Sequence, residues 1–140
     1  MKLSRRELLA VGAGTFVYSN FAALPAFSLV AEDVIAALTG GAELGEGLID
    51  LVAPEIAENG NAVPLEVSAP GASSITLFAD GNPEPVTATF NFGPLSPSSS
   101  ASTRVRLAKT QNVVALAKMA DGSWQIARAA VKVTIGGCGG

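Results

Sequence analysis

The stretch Val113-Val114-Ala115-Leu116-Ala117-Lys118-Met119-Ala120-Asp121-Gly122-Ser123-Trp124-Gln125-Ile126 decides the fold of this 140-residue chain. It opens with a run of apolar residues, which predicts a strand over Val113–Met119 that is covered on both faces. In a small domain, one of those covers can be a partner subunit. Asp121-Gly122 is a hairpin-turn signal, and two further strand segments follow it, Trp124–Ile126 and Arg128–Ile135, with a bend between them. The stretch therefore predicts a hairpin with one doubly buried strand.

Alternation of apolar and polar residues predicts more strands on the N-terminal side of this hairpin. Pro64 indicates that its strand lies at a sheet edge, because proline donates no backbone hydrogen bond. Turn-forming or Pro/Ser-rich segments separate the strands. About seven short strands in all indicate an all-β sandwich. The strands predicted before the hairpin are Leu48–Val52 and the segments 63–67, 75–79, 86–92 and 103–107.

A short N-terminal helix precedes the strands. Apolar residues recur at helical spacing between Ala31 and Thr39. Asp33 is placed to cap the start of this helix, and Gly40-Gly41 is expected to end it.

Composition limits the chemistry that the chain can perform alone. Hydrophobic residues make up 49% of the sequence and charged residues 15%, so one ordinary domain with a packed core is expected. Histidine is absent, which removes the usual general base, the usual metal ligand and the Ser-His or Cys-His dyads. A self-contained hydrolase or zinc enzyme is disfavoured, and we expect no bound cofactor or metal.

The N-terminus has the features of an export signal. Lys2, Arg5 and Arg6 form a basic region ahead of an interrupted apolar run, Leu8–Phe27. The sequence around Arg5 and Arg6 fits a twin-arginine leader, so residues 1–28 are predicted to be a signal peptide for the bacterial periplasm. The alternative is an uncleaved membrane helix, but the apolar run is short and broken. We therefore expect no stable membrane insertion.

The chain without its predicted leader is acidic. Six Lys and Arg residues stand against eleven Asp and Glu residues, which gives a net charge of −5. An acidic body argues against nucleic acid as a partner. The periplasm favours oxidised thiols, and a single cysteine cannot form an internal disulfide, so its thiol is expected to have a use.

That cysteine lies in the terminal stretch Gly136-Gly137-Cys138-Gly139-Gly140. Glycine does not restrict the backbone conformation and has no side chain that could shield the neighbouring thiol. Residues 136–140 therefore predict a flexible tail on a sandwich domain of residues 29–135. Gly136, Gly137, Gly139 and Gly140 supply no base or positive charge to activate the thiol. The pattern favours a swinging arm that presents Cys138 to other proteins. An interchain disulfide and an incidental cysteine are the alternatives.

Other polar and aromatic residues have structural explanations. Arg104 and Arg106 share one strand face, which predicts a solvated surface or an interface. The alternative is an anion site for a charged cargo. Asp121 is expected to form a turn, and Glu55 and Glu58 are too isolated to act as an acid/base pair. Trp124 and Phe90 are expected to pack in the core.

Three stretches resemble the SoxY family, the sulfur-carrier subunits of the bacterial thiosulfate-oxidising (Sox) system. The most specific is Val131-Lys132-Val133-Thr134-Ile135-Gly136-Gly137-Cys138-Gly139-Gly140. Pro54–Pro64 and Ser102–Ala108 also look like this family, and the twin-arginine leader agrees, although Ala10 stands where a lysine is common. The resemblance spans nearly the whole chain after the leader.

The resemblance implies an immunoglobulin-like sandwich that pairs with a SoxZ-like subunit as a heterodimer. It implies that Cys138 is the covalent attachment site for sulfur intermediates. In that scheme the cytochrome SoxAX oxidatively joins thiosulfate to the cysteine, the hydrolase SoxB releases sulfate, and SoxCD, where present, oxidises the remaining sulfur. We therefore expect a periplasmic carrier without catalytic residues of its own. The alternative function is a structural β-sandwich subunit that uses Cys138 only for an interchain disulfide.

Overall fold

Two β-sheets pack face to face, and one helix covers the outer face of the larger sheet. The structure is a computed structural model that describes residues 26–134. Of the nine strands in this range, seven have three or more residues, so the predicted all-β sandwich with a short N-terminal helix is confirmed. The elements are α1 (Ala26–Thr39), β1 (Leu44–Gly45), β2 (Asp50–Val52), β3 (Ile56–Ala57), β4 (Val63–Ser68), β5 (Ala72–Ala79), β6 (Val86–Asn91), β7 (Ser100–Val105), β8 (Gln111–Met119) and β9 (Trp124–Val133).

The predicted hairpin lies inside the larger sheet, whose order is β1-β9-β8-β5-β6. β8 and β9 pair antiparallel in a constant register from Gln111↔Val131 to Lys118↔Trp124, so β9 is one strand without a break. At the turn, Gly122 has φ = 87°, a conformation that glycine adopts without strain. β3 adds a short parallel pairing to the end of β9. The smaller sheet has the order β2-β4-β7.

The main core fills the space between the two sheets. Alternation places the apolar residues of each strand on the inner face, and β4 shows this directly, because Val63, Leu65 and Val67 are buried while Pro64 and Glu66 are exposed. The same inner layer receives the side chains of β5 and β8. Its largest fully buried members are Leu65, Ile75, Leu77, Leu107, Val63, Val113 and Val131.

A second apolar layer lies between α1 and the outer face of the larger sheet. Ile35 from the helix packs there with buried residues of three neighbouring strands, namely Phe78, Val114, Leu116 and Ile126. β8 is therefore buried on both faces, as predicted. The second cover is the chain's own helix, however, so the suggestion that a partner subunit covers this strand is wrong. Apolar burial of this kind is the main contribution to stability in such a domain.

Polar contacts join the helix to the sheet beneath it. Arg128 Nη2 on β9 lies 3.1 Å from Glu32 Oε1 on α1. Both side chains are about half exposed, so this ion pair orients the helix more than it stabilises the domain.

Further details of α1 and β4 differ from the sequence predictions. The helix already includes residues 26–28 of the predicted leader, and Asp33 lies within it rather than at its start. Gly40 and Gly41 do end it, with φ values of 65° and 78°. β4 is the central strand of its sheet, so its assignment as an edge strand is wrong. Pro64 is tolerated because β2 pairs only with residues 66–68 of β4.

No helix in the described range is both long enough and apolar enough to span a bilayer.

Candidate functional site

The predicted attachment site lies outside the described residues. This applies to Cys138 and to the predicted arm glycines, and also to the export residues Arg5 and Arg6. The structure does describe residues 132–134, which precede the predicted tail in the sequence and which we call the tail root.

The tail root extends beyond the β8–β9 ladder, whose last pair is Gln111↔Val131. Lys132 N donates to Glu55 O at 2.9 Å, and Thr134 N donates to Ala57 O at 3.0 Å. These bonds belong to the parallel pairing of β3 with β9. On the opposite edge, Val133 N donates to Thr110 Oγ1 at 2.9 Å. The backbone is thus held on both sides up to Thr134.

A polar network orders the same end of the sandwich. Because β8 and β9 are antiparallel, the first residue of β8, Gln111, lies beside the end of β9. Gln111 is buried, and its Oε1 accepts a hydrogen bond from Gly81 N at 2.8 Å. Its Nε2 donates to Asn82 Oδ1 and to Lys109 O, both at 2.9 Å. These bonds join the β5–β6 turn to the loop before β8, so the tail root starts from an ordered surface.

Arg104, on β7, and Arg106, one residue after β7, lie at the end of this strand that pairs with the start of β4. Arg104 and Arg106 are exposed, as predicted for a surface strand face. They line an open groove with Glu84 and residues of β6. Arg106 also accepts a hydrogen bond through its backbone oxygen from Asn82 Nδ2, at 2.7 Å. The groove runs between the edge strands of the two sheets.

The other residues singled out from the sequence have structural roles or surface positions. Phe90 is half-buried against the main core, and Trp124 is half-buried against the layer under α1. Glu55 and Glu58 are exposed. Within the described range, no group of three or more His, Cys, Asp or Glu side chains could hold a metal ion.

Asp121 forms the hairpin turn that was predicted for it. Its Oδ1 accepts hydrogen bonds from Ser123 Oγ at 2.6 Å and from Ser123 N at 2.9 Å. These two bonds, the side-chain one first, lower the pKa of the Asp121 carboxyl, because they favour its charged form.

Sequence reasoning missed Thr110. A single threonine before a strand forms no pattern, and its importance depends on the neighbour that folding brings to it, Val133, which lies 23 residues away. The two-residue strand β3 was missed for a related reason, since two residues are too few to show a period.

Comparison with known proteins gives the family. The model of the family described as "Sulfur oxidation protein SoxY" matches residues 35–138, a range that ends on Cys138. No match was found among curated protein sequences.

Solved structures agree with this match. The sulfur carrier protein SoxY from Chlorobium limicola f thiosulfatophilum is 39% identical, with a TM-score of 0.66, and the match covers 79% of this chain and all of that one. A superoxide reductase (neelaredoxin) from Ignicoccus hospitalis is 19% identical, with a TM-score of 0.55 and coverage of 62% of this chain and 80% of that one. The second likeness shows the fold alone. The family match and the high identity to a solved member together show that this chain belongs to the SoxY family.

Proposed function

We propose that this protein is a periplasmic sulfur carrier that holds thiosulfate-derived intermediates covalently on Cys138. The observation that carries the proposal is the family match over residues 35–138, which reaches the only cysteine of the chain. The solved relative with 39% identity is itself described as a sulfur carrier protein. The placement of the single thiol among four glycines supports the same role, because it suits presentation of a sulfur atom to other active sites.

The proposed cycle begins with an oxidation. The Cys138 thiol and thiosulfate form a sulfur–sulfur bond, releasing one proton and passing two electrons to a c-type cytochrome of the SoxAX type. The product is a cysteine-bound thiosulfonate. A SoxB-type hydrolase then adds water across the terminal sulfur–sulfur bond, which releases sulfate and one proton and leaves a persulfide on the cysteine. A SoxCD-type enzyme, where present, would oxidise the outer sulfur of that persulfide to a sulfonate, taking three oxygen atoms from water, releasing seven protons and passing six electrons to a cytochrome acceptor.

The carrier itself performs no catalysis in this scheme. A thiol reacts as its thiolate, and the sequence provides no histidine to act as a base. Deprotonation and oxidation of the sulfur therefore depend on the partner enzymes. Measurable turnover of thiosulfate by the purified chain alone would argue against this point.

Export by the twin-arginine pathway is part of the proposal. It is supported by Arg5 and Arg6 ahead of the broken apolar run. Cells that express the Arg5→Lys, Arg6→Lys double variant should retain the protein with its leader in the cytoplasm. Normal periplasmic recovery of that variant would count against the pathway.

A heterodimer with a SoxZ-like subunit is proposed from family membership. Sedimentation of the chain with and without such a subunit tests this, since a 1:1 complex is expected. If the two proteins sediment independently at micromolar concentration, the pairing is wrong.

The test of the central role is the Cys138→Ser variant in a reconstituted thiosulfate-oxidising system. Serine removes the sulfur that forms the covalent bond while changing one atom, so turnover should fall to background with the fold and partner binding intact. The control is Ser123→Cys in the Cys138→Ser background, which restores a thiol at the hairpin end of the domain. That double variant should remain inactive. Full activity of Cys138→Ser would contradict the carrier role.

A further inference from the structure

The tail root has a hydrogen-bond partner for each of its three backbone N–H groups. Lys132 and Thr134 donate to the backbone of the 55–57 segment, but Val133, which faces the other edge, donates to a side chain. That side chain belongs to Thr110, one residue before the start of β8. The last pair of the β8–β9 ladder is Gln111↔Val131. Thr110 therefore continues the edge of the sheet past the end of the ladder.

The hydroxyl of Thr110 forms hydrogen bonds to the backbone of Val133 that a residue of a neighbouring strand would otherwise form. Its Oγ1 accepts a hydrogen bond from Val133 N at 2.9 Å and lies 3.4 Å from Val133 O, to which it donates. Thr110 is exposed and belongs to neither apolar layer. Its side chain is thus not explained by packing of the core, and within residues 26–134 its side-chain hydrogen bonds go to the tail root.

We propose that Thr110 is a positioning residue that fixes the point at which the cysteine tail leaves the domain. This inference rests on the proposed function, because it concerns how the carrier presents Cys138. Cys138 lies four residues after Thr134, a chain length of about 14 Å at about 3.3–3.6 Å per residue. Without the Thr110 hydroxyl, Val133 loses both bonds on its edge, and the tail root is held only by the bonds of Lys132 and Thr134 to the 55–57 segment.

In the proposed carrier, a longer tether between the sandwich and Cys138 would lower the local concentration of the thiol. The effective concentration of a tethered group falls as about the −3/2 power of the tether length. Complete opening of the tail root would lengthen the tether from four residues to seven and lower the effective concentration of Cys138 at a docked active site by about twofold, which is the upper limit of the effect. Thr110 keeps the thiol concentrated near the end of the sandwich from which the tail starts.

The variants that test this are Thr110→Val and Thr110→Ser. Valine has nearly the same shape as threonine and removes both hydrogen bonds to Val133, whereas serine keeps the hydroxyl. Thr76→Val is the matched control, because Thr76 Oγ1 bonds Thr89 Oγ1 at 3.3 Å on the exposed face of β5, away from the tail root.

The first measurement is hydrogen exchange of the Val133 amide in the full-length protein. The amide should exchange about fivefold faster or more in Thr110→Val, since an intramolecular hydrogen bond contributes on the order of that factor. Thr110→Ser and Thr76→Val should exchange at the wild-type rate. An unchanged Val133 rate in Thr110→Val overturns the anchor.

The second measurement follows the thiol. A nitroxide attached to Cys138, the only cysteine, broadens the NMR signals of nearby amides. In Thr110→Val the broadening should spread over a wider part of the domain and weaken near the tail root, while Thr110→Ser and Thr76→Val match the wild type. Faster exchange with an unchanged broadening pattern overturns the proposal, because the anchor would then not control where the thiol goes.

Turnover with the partner enzymes separates this inference from the proposed function. Thr110→Val should lower kcat by up to about twofold with KM unchanged, and Thr110→Ser should match the wild type. If the wild type and Cys138→Ser turn over equally, the carrier role fails, yet the exchange and broadening results still decide whether Thr110 anchors the tail. Equal kcat for Thr110→Val and wild type in an active system overturns the proposal.

Discussion

Cys138 is the single thiol of the chain, so the proposed covalent chemistry has one attachment atom. Its neighbours along the chain are four glycines, which offer neither a base nor a positive charge. In the proposed cycle the sulfur is activated inside the active sites that it enters. The contribution of the glycines is then steric, because a chain without side chains can enter a narrow channel that a bulkier chain cannot.

Valine in place of Gly137 or Gly139 should slow the cycle. A β-branched side chain adds bulk beside the sulfur and restricts the backbone, so turnover should fall about tenfold or more, equivalent to about 1.4 kcal/mol of added barrier. Reaction with a small maleimide should still label Cys138 fully. The control is Gly93→Val, because a Cβ added at Gly93 meets nothing within 4 Å. Equal turnover for all three variants and wild type would show that the slimness of the tail is unimportant.

Asp121 predicts a pH dependence of stability. Hydrogen bonds from Ser123 lower its pKa in the folded protein, so its contribution to stability is present above the unfolded pKa, near pH 4, and is lost as the pH falls through the lowered value. Asp121→Ala should therefore be less stable than wild type at pH 7, and this difference should shrink at pH 3. Urea denaturation at both pH values measures it. A difference that does not change with pH would contradict the assignment.

At the scale of elements, α1 is the cover that makes the larger sheet buried on both faces. Ile35 is 2% exposed and packs on Phe78, Val114, Leu116 and Ile126. Ile35→Ala should lower the free energy of unfolding by about 2–4 kcal/mol, through lost burial and the cavity left behind. Leu38→Ala is the matched control, because Leu38 is 49% exposed, and its effect should be about 0.5 kcal/mol or less.

Urea denaturation of the two variants decides the point. If Ile35→Ala costs no more stability than Leu38→Ala, the helix does not form the second apolar layer in solution. The doubly buried strand β8 would then need another cover, and a partner subunit would again be the leading candidate.

The sequence predicted those elements whose pattern repeats within the element itself. The alternation in β4 and the apolar run in β8 were sufficient to predict these two strands. Each strand has at least six residues, and the burial of each of its faces follows the sequence pattern. Asp121-Gly122 was sufficient for the turn, because the required conformation depends on two adjacent residues. These features define the sandwich before any tertiary contact is known.

What could not be predicted depends on contacts between distant segments. β1 and β3 exist only because their backbones lie beside β9, and nothing in a two-residue segment indicates that neighbour. An apolar run shows that both faces of β8 are covered, but not whether a helix or another chain covers them. The same holds for the site: Cys138 is evident from the sequence, whereas Thr110 matters only through Val133, its partner across the sheet.

At the scale of the molecule, the proposed carrier role gives the sandwich one task, which is to hold the tail root that precedes the cysteine. The tail root lies at the end of the sandwich where the network of Gln111 and Asn82 orders the loops, and the family match runs from α1 to the cysteine. In the proposed function the tail provides the reactive atom and the sandwich provides the folded body that carries it. Substitutions in the tail should therefore change turnover without changing the stability of the sandwich.

The most direct test of the carrier role is the intact mass of the protein after incubation with thiosulfate and the oxidising partner cytochrome. Wild type should gain the mass of one thiosulfonate group, the gain should disappear on reduction with a thiol reagent, and Cys138→Ser should show no gain. Treatment with the hydrolase should convert the adduct to one of a single added sulfur atom. A covalent dimer as the sole product, or the same adduct on Cys138→Ser, would contradict the account.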